Sequence, residues 1–289
     1  MKDVYVTRRS PLLLVLVLAV GPALAAGNAD TEAMVRQMVG AWKTHTQIAP
    51  LSATYGAFSM DRGYRIQQAL AKEVTSVLGP VAGYKVAYAS KAAQKQFGMT
   101  EPARGPFYML QRVPTGSMLP VSAFNEIMLE TEVAFSIGKR IDKPLPNVAA
   151  LKEHVKYVYA AFDASDFPYA PGDGKPTPPD MVAMGTGAHM FVLGPAVDPA
   201  AVDVSELSLA LMRNGQTIRE KPARDVMGSP WNSLLWCANH VVKYGDTLEP
   251  GMVILTGTAA AAYRVRGDEI KGTYVADCGA LGRVTMTIK

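Results

Sequence analysis

The sequence predicts an α+β fold in which helices come first and short strands dominate the second half. Two segments repeat apolar residues at the helical spacing, over residues 29–44 and over Met60–Leu78. From Val204 onwards the apolar runs are short and separated by turn signals, which is typical of strands. With 289 residues, 49% of them apolar and 19% charged, the chain can bury a sizeable core and does not have the composition of a disordered protein.

The other elements follow from local patterns along the chain. Asn214-Gly215 predicts a hairpin turn. A late helix is predicted to begin with Ser229 as its cap and Pro230 in its first turn, and to end at Gly245. The central assignments are a strand over 82–88, loops over 98–120, a strand over 127–137, a short helix over 150–160 and a strand over 160–165.

The first 26 residues have the pattern of an export signal. Lys2, Arg8 and Arg9 precede the apolar run Leu12–Val20, and small residues reach Ala25 and Ala26, where we expect cleavage. A retained membrane anchor is the alternative, but nine apolar residues at about 1.5 Å each cannot cross roughly 30 Å of hydrocarbon. We therefore expect a periplasmic or secreted protein with no membrane association after cleavage.

An oxidising compartment leaves two states open for the two cysteines, Cys237 and Cys278. They could form a disulfide, but Cys237 lies in an apolar helical pattern, where a buried free thiol is more common. The sequence favours two structural thiols. The formal net charge of +4 is small and evenly spread, which argues against a nucleic-acid partner.

The stretch from Leu129 to Ile137 contains the most informative pattern. In a strand, alternate side chains share a face, so Glu130 and Glu132 project together while Leu129 and Val133 face a core. Two adjacent carboxylates repel each other unless a cation lies between them, and oxygen ligands suit Mg²⁺ or Mn²⁺. The alternative is an ordinary solvated strand face.

An ordered set of residues resembles the 2-keto-4-pentenoate hydratase family, which belongs to the fumarylacetoacetate hydrolase superfamily together with the oxalocrotonate decarboxylases. The set comprises Gly83-Tyr84-Lys85-Val86, Gln94, Gly98, Glu101-Pro102, Gly105, Glu130-x-Glu132, Gly228-Ser229-Pro230-x-Asn232, Leu255-Thr256-Gly257 and Gly267-Asp268. The resemblance implies a fumarylacetoacetate hydrolase-like core, a mixed β-sandwich or roll, over residues 121–289. It also implies a smaller helical N-terminal lobe over residues 27–120.

The resemblance also implies a site. Glu130, Glu132 and Asp163, the last in place of the family's glutamate, match the ligands of Mg²⁺ or Mn²⁺. Lys85 matches a lysine near the substrate, where it pairs with a carboxylate or relays protons. Asp166, at the end of the same motif as Asp163, belongs to the predicted catalytic set, and Thr186 is added to it as a substitute hydroxyl in a segment that departs from the family.

Two departures from the family pattern concern the same site. Phe167-Pro168-Tyr169 lacks the arginine that commonly follows the third ligand. The family's A-D-N-A-S segment is replaced by Ala183-Met184-Gly185-Thr186-Gly187, in which Thr186 is the only hydroxyl. A changed substrate and a loss of turnover both stay open.

The resemblance predicts a lyase that hydrates a 2-hydroxy-2,4-dienoate, through its 2-oxo tautomer, to a 4-hydroxy-2-oxo acid. The alternatives are decarboxylation or tautomerisation of a related 2-oxo diacid, or a periplasmic protein that binds small acids without turnover. Relatives imply a homo-oligomer whose partner is a small 2-oxo or 2-hydroxydienoic acid.

Overall fold

The computed structural model describes the backbone of residues 22–289 and the side chains of residues 30–267 and 269–289. The greater part of the predicted export signal, residues 1–21, lies outside the described residues. The helices are α1 (Pro22–Thr44), α2 (Leu51–Tyr55), α3 (Met60–Leu78), α4 (Lys91–Phe97), α5 (Val148–Lys152), α6 (Pro178–Ala183) and α7 (Pro230–Lys243). The strands are β1 (Val81–Ala87), β2 (Ala103–Tyr108), β3 (Arg112–Val113), β4 (Ser117–Leu119), β5 (Ile127–Ile137), β6 (Val155–Asp166), β7 (Met190–Leu193), β8 (Ser208–Arg213), β9 (Gln216–Pro222), β10 (Val253–Leu255), β11 (Tyr263–Arg264), β12 (Gly272–Asp277) and β13 (Arg283–Ile288).

The predicted α+β class is confirmed, and several elements have the predicted bounds. Helix α3 begins after Ser59, whose hydroxyl accepts a hydrogen bond from the Arg62 N–H. Helix α7 begins after Ser229 with Pro230 in its first turn. The β8–β9 hairpin turns at Asn214 and Gly215, both with positive φ, as the Asn-Gly pair predicts.

Three assignments are wrong. Residues 98–120 contain β2, β3 and β4 rather than loops only. Strand β2 accommodates Pro106 because it is an edge strand, where the missing N–H of a proline does not remove a hydrogen bond between strands. The helix predicted over 150–160 ends at Lys152, and β6 begins at Val155 because its alternating side chains pair with β5. Helix α1 begins at Pro22 rather than at residue 29. The short helices α2 and α4 were not predicted, because they have too few turns for apolar residues to recur at the helical spacing.

Most of the site lies in an eight-stranded mixed sheet of order β2-β1-β10-β5-β6-β7-β3, with β11 on β5. Its two edge strands, β2 and β3, are separated in the chain only by Met109–Gln111. Three residues span little distance, so the sheet must curl until its edges approach each other. The inner face of this roll holds a small apolar core built around Phe107, Phe191 and Leu255.

The outer face of the roll packs against the second sheet, of order β4-β13-β12-β8-β9, and against α7. Strand β5 is therefore buried on both faces: Val133 and Phe135 face the main core, while Ala134 faces the inside of the roll. The two faces of β5 therefore differ in the residues that they contact rather than in their exposure to solvent.

The N-terminal helices are held to the roll by a buried arginine. Arg104, on β2, lies near the rings of Tyr64, Tyr84 and Tyr244, and its guanidinium donates to Gln67 of α3 and to Asp246. A stacked and hydrogen-bonded guanidinium compensates the loss of its hydration. These contacts connect α3, β2 and the end of α7.

Two further observations concern the described residues. Cys237 and Cys278 are both buried and unpaired, as the apolar pattern around Cys237 predicts. Among residues 22–289, no helix combines the length and the apolar character that a bilayer crossing requires.

Candidate metal centre

Three carboxylates meet inside the roll and form what we call the acidic cluster: Glu130, Glu132 and Asp163. Glu130 and Glu132 alternate along β5, and Asp163 is the direct cross-strand partner of Glu130 on β6. One ligand atom from each lies within 4.8 Å of the others. Glu132 and Asp163 are fully buried. The register of β5 on β6 therefore produces the cluster.

Lys85 reaches the acidic cluster from β1. Its Nζ contacts the Asp163 carboxylate and lies 3.6 Å from Glu130 Oε2. It also donates to Ser165 Oγ at 2.5 Å, and that hydroxyl donates to Asp163 Oδ1 at 3.1 Å. The structure thus brings together four of the six predicted site residues: Lys85, Glu130, Glu132 and Asp163. Ser165 was missed, although its position two residues after Asp163 on a strand indicates the same face.

Two buried oxygens of the acidic cluster accept no hydrogen bond from the described residues: Glu132 Oε1, and Asp163 Oδ2, which contacts the Lys85 ammonium. Glu132 Oε2 accepts the Gly257 N–H at 2.6 Å, while Glu132 Oε1 is buried without a hydrogen-bond donor among the described residues. A buried carboxylate oxygen without a partner is costly, and a hard cation is the partner that three carboxylates suit. The residues therefore fit a divalent metal ion.

Gly257 is required at its position, and sequence reasoning assigned it no role in the site. Its φ is +93°, and an added Cβ would lie 2.7 Å from Ala89 Cβ and 2.9 Å from the Val86 carbonyl oxygen. Any side chain would push the donor N–H away from Glu132. The sequence signal for Gly257 was the Leu255-Thr256-Gly257 motif, but a motif does not show which acceptor the Gly257 N–H contacts.

Burial and mutual repulsion raise the pKa values of Glu130 and Glu132. Burial raises the pKa of Glu130 to about 7, with Lys85 opposing the shift and Asp163 adding to it. Burial, then Asp163 and Glu130, raise the pKa of Glu132 well above its usual range. Burial by itself would lower the pKa of Lys85, but Asp163 and Glu130 outweigh it, so the pKa is raised and the ammonium stays charged.

The raised pKa of Glu130 predicts a pH-dependent metal affinity. A cation requires the carboxylate form, which dominates above about pH 7 and is lost as the pH falls below it. We expect the apparent Mn²⁺ affinity to fall about tenfold per pH unit as the pH drops below 7. Titration calorimetry at half-unit intervals between about pH 5 and about pH 8 measures this. An affinity that does not change across pH 7 would contradict it.

Thr186 lies beside Gly105 in a strained turn. Its φ is +55°, a left-handed conformation that a β-branched residue rarely adopts and that costs about 1–3 kcal/mol. Its hydroxyl donates to the Gly185 carbonyl at 2.7 Å. The turn lies against Gly105, the cross-strand partner of Lys85. A catalytic role for Thr186 stays a prediction.

Asp166 lies at the end of β6, and its carboxylate is already engaged. It accepts hydrogen bonds from the backbone N–H groups of Asn125 and Glu126, at 2.8 and 2.7 Å, and from Asn125 Nδ2 at 3.0 Å. It lines a cavity between α1, α3 and residues 184–189 rather than the acidic cluster. A catalytic role for Asp166 stays a prediction.

Comparison with known proteins agrees with the predicted resemblance. The chain is 24% identical over 251 residues to a 2-keto-4-pentenoate hydratase of Paraburkholderia xenovorans strain LB400, covering 86% of this chain and 93% of that one. It is 27% identical over 242 residues to the hydratase of Burkholderia vietnamiensis, covering 83% and 90%. It is 28% identical over 184 residues to a 4-oxalocrotonate decarboxylase of a Pseudomonas species, covering 64% and 70%.

Among solved structures, the fold is similar to that of 4-oxalocrotonate decarboxylase from Pseudomonas putida G7 in complex with magnesium and adipate. The TM-score is 0.83 at 20% identity, covering 91% of this chain and 98% of that one. The family model of the fumarylacetoacetate (FAA) hydrolase C-terminal matches residues 81–288. The match begins at β1, and the predicted lobe boundary at residue 120 stays a prediction. The chain belongs to the fumarylacetoacetate hydrolase C-terminal family.

Proposed function

We propose that this protein is a divalent-cation-dependent lyase that adds water to a 2-hydroxy-2,4-dienoate and forms a 4-hydroxy-2-oxo acid. The observation that carries the proposal is the buried acidic cluster, with an unpartnered Glu132 oxygen on one side and the Lys85 ammonium on the other. The names of the related hydratases supply the reaction class.

The chain's own residues have separate tasks in this reaction. Glu130, Glu132 and Asp163 would hold Mg²⁺ or Mn²⁺, which supplies Lewis-acid chemistry to the carboxylate and keto oxygens of a 2-oxo acid. Lys85 is charged and buried, so its Nζ can pair with the substrate carboxylate and pass a proton to the carbon chain. Ser165 Oγ holds Nζ in place. Water then adds across the remaining double bond and leaves a hydroxyl at C4.

Replacing Lys85 by methionine separates these tasks. The Lys85 ammonium and a metal ion both interact with Glu130 and Asp163, so removing the ammonium removes a competitor. We expect Lys85→Met to bind Mn²⁺ at least about tenfold more tightly while losing about 100-fold or more in turnover. Calorimetry gives the affinity and a substrate assay gives the turnover. Weaker Mn²⁺ binding in this variant would show that Lys85 supports the cation rather than competes with it.

The assay that tests the function follows the ultraviolet absorbance of 2-hydroxypenta-2,4-dienoate. Loss of absorbance that needs Mg²⁺ or Mn²⁺, stops with a chelator and is absent in a Glu130→Ala/Glu132→Ala double variant would support hydration. Release of CO₂ from a 2-oxo diacid would favour decarboxylation instead, which the named decarboxylase relative makes the second candidate. Cation binding with no turnover of either compound would favour a small-acid-binding protein.

We also propose that the protein is exported, on the basis of the basic, apolar and small-residue order of residues 1–26. Cleavage after Ala25 or Ala26 would shorten α1 at its start and keep Met34, which is fully buried. The mass of the purified mature chain and its distribution between periplasmic and cytoplasmic fractions test this. An intact N-terminus in the cytoplasmic fraction would overturn it.

A further inference from the structure

A cavity of about 100 Å³ lies between α1, α3 and residues 184–189, apart from the acidic cluster; we call it the helix cavity. One water molecule needs about 10–15 Å³ on the same measure. The helix cavity can therefore hold several waters or a ligand the size of one aromatic ring.

The two helices give the helix cavity an apolar wall. Met38 and Trp42 of α1 face Leu70, Val74 and Leu78 of α3 across it. A ring placed against these side chains would lose its apolar hydration, which favours binding.

The opposite end of the helix cavity is polar. His45 and His189 have ring centroids 6.2 Å apart, and Asn125 is hydrogen-bonded to Asp166 beside them. His189 Nε2 lies 2.8 Å from the Ala123 carbonyl oxygen, which can only accept, so Nε2 carries the proton. Burial lowers the pKa of His189 and keeps the ring neutral. Its Nδ1 is then a free acceptor for a ligand hydroxyl.

The charges of the helix cavity select against acids. Among the described residues, no lysine or arginine lines it, and Asp166 is the carboxylate that does. An anionic ligand would meet this carboxylate without a compensating cation. The anionic 2-oxo acids proposed for the acidic cluster are therefore the wrong chemistry for this cavity.

We propose that the helix cavity binds a small neutral ligand with a one-ring apolar body and a single hydroxyl group, of which phenol is the simplest probe. The ring lies against the α1 and α3 side chains, and the hydroxyl donates to His189 Nδ1.

Methyl-labelled methionine NMR of the purified protein tests this directly, because Met38 and Met184 line the helix cavity. We expect phenol to shift these two methyl signals in a saturable way with a dissociation constant of about 1 mM. Toluene, which lacks the hydroxyl, should bind at least about fivefold more weakly, and benzoate should leave both signals unmoved. Unmoved signals with phenol, or equal shifts with benzoate, overturn the proposal.

Variants then separate the apolar and polar contributions. Ala41→Phe fills the helix cavity from α1 and should weaken phenol at least about tenfold, while Ala92→Phe, the same change on the exposed face of α4, should not. His189→Phe should remove the preference for phenol over toluene. If Ala41→Phe does not fold, Val74→Trp fills the cavity from α3. Unchanged phenol affinity in a folded filling variant overturns the proposal.

The helix cavity shares no residue with the acidic cluster, so the two binding events can be tested separately. Glu132→Gln should lose cation affinity and keep the phenol-induced shifts, because Glu132 does not line the helix cavity. If cation binding fails, phenol binding can therefore still be interpreted, and the reverse also holds.

Discussion

Replacing Glu132 by glutamine should lower Mn²⁺ affinity by about 100-fold or more while the protein stays folded. Glutamine has the same shape and can still accept the Gly257 N–H, so the backbone contact survives. It removes the negative charge of the fully buried carboxylate whose second oxygen has no donor. Calorimetric titration with Mn²⁺ at pH 8, about one unit above the raised pKa of Glu130, measures the loss.

The thermal midpoint supplies a second readout of the same substitution. With a chelator present, Glu132→Gln should be at least as stable as wild type, because one of three repelling buried acids has become neutral. With saturating Mn²⁺, wild type should gain stability and Glu132→Gln should not. Glu153→Gln, an exposed change on the same protein, is the matched control. Wild-type Mn²⁺ affinity in Glu132→Gln would exclude the acidic cluster as the metal site.

Replacing Gly105 by alanine should destabilise the protein by more than about 3 kcal/mol. An added Cβ would lie 1.8 Å from the Gly185 carbonyl oxygen and 2.7 Å from Thr186 Oγ1. The nearest atom is backbone, so the turn that contains Thr186 would have to move away from β2. Urea denaturation measures the change in the free energy of unfolding.

Gly40→Ala is the matched control, with the opposite sign expected. Gly40 lies in the C-terminal part of α1, four residues before the helix ends at Thr44, and a Cβ there would meet nothing within 4 Å. Alanine should therefore stabilise the helix by roughly 0.5–1 kcal/mol. If Gly105→Ala proved as harmless as Gly40→Ala, the close contact between β2 and the Thr186 turn would be wrong.

Local sequence patterns predict only part of the metal site. The Glu130-x-Glu132 spacing predicts two carboxylates on one strand face, because alternation is a property of the strand alone. Asp163 is distant in the chain, and only the family resemblance indicated it; the β5–β6 register then places it opposite Glu130. Lys85 reaches the same cluster because β10 lies between β1 and β5 in the sheet, an order that no local pattern specifies.

The errors have the same origin. Gly105 and Pro106 indicated a loop, but an edge strand against β1 tolerates both residues. The apolar residues after Lys152 were compatible with a helix until their pairing with β5 made them a strand. Ser165 and Gly257 were missed because their importance lies in contacts with Lys85 and Glu132 across the sheet.

The sequence by itself determined the α+β class, the bounds of α3, the strand that carries two carboxylates and the family to which the chain belongs. These depend on periodicity, caps and ordered motifs, all of which are local or directly comparable. Only the tertiary structure decided that Asp163 and Lys85 join those carboxylates, that one Glu132 oxygen lacks a donor, and that a separate cavity lies under α1 and α3. Strand order and register bring distant residues together, and they depend on the packing of the whole chain.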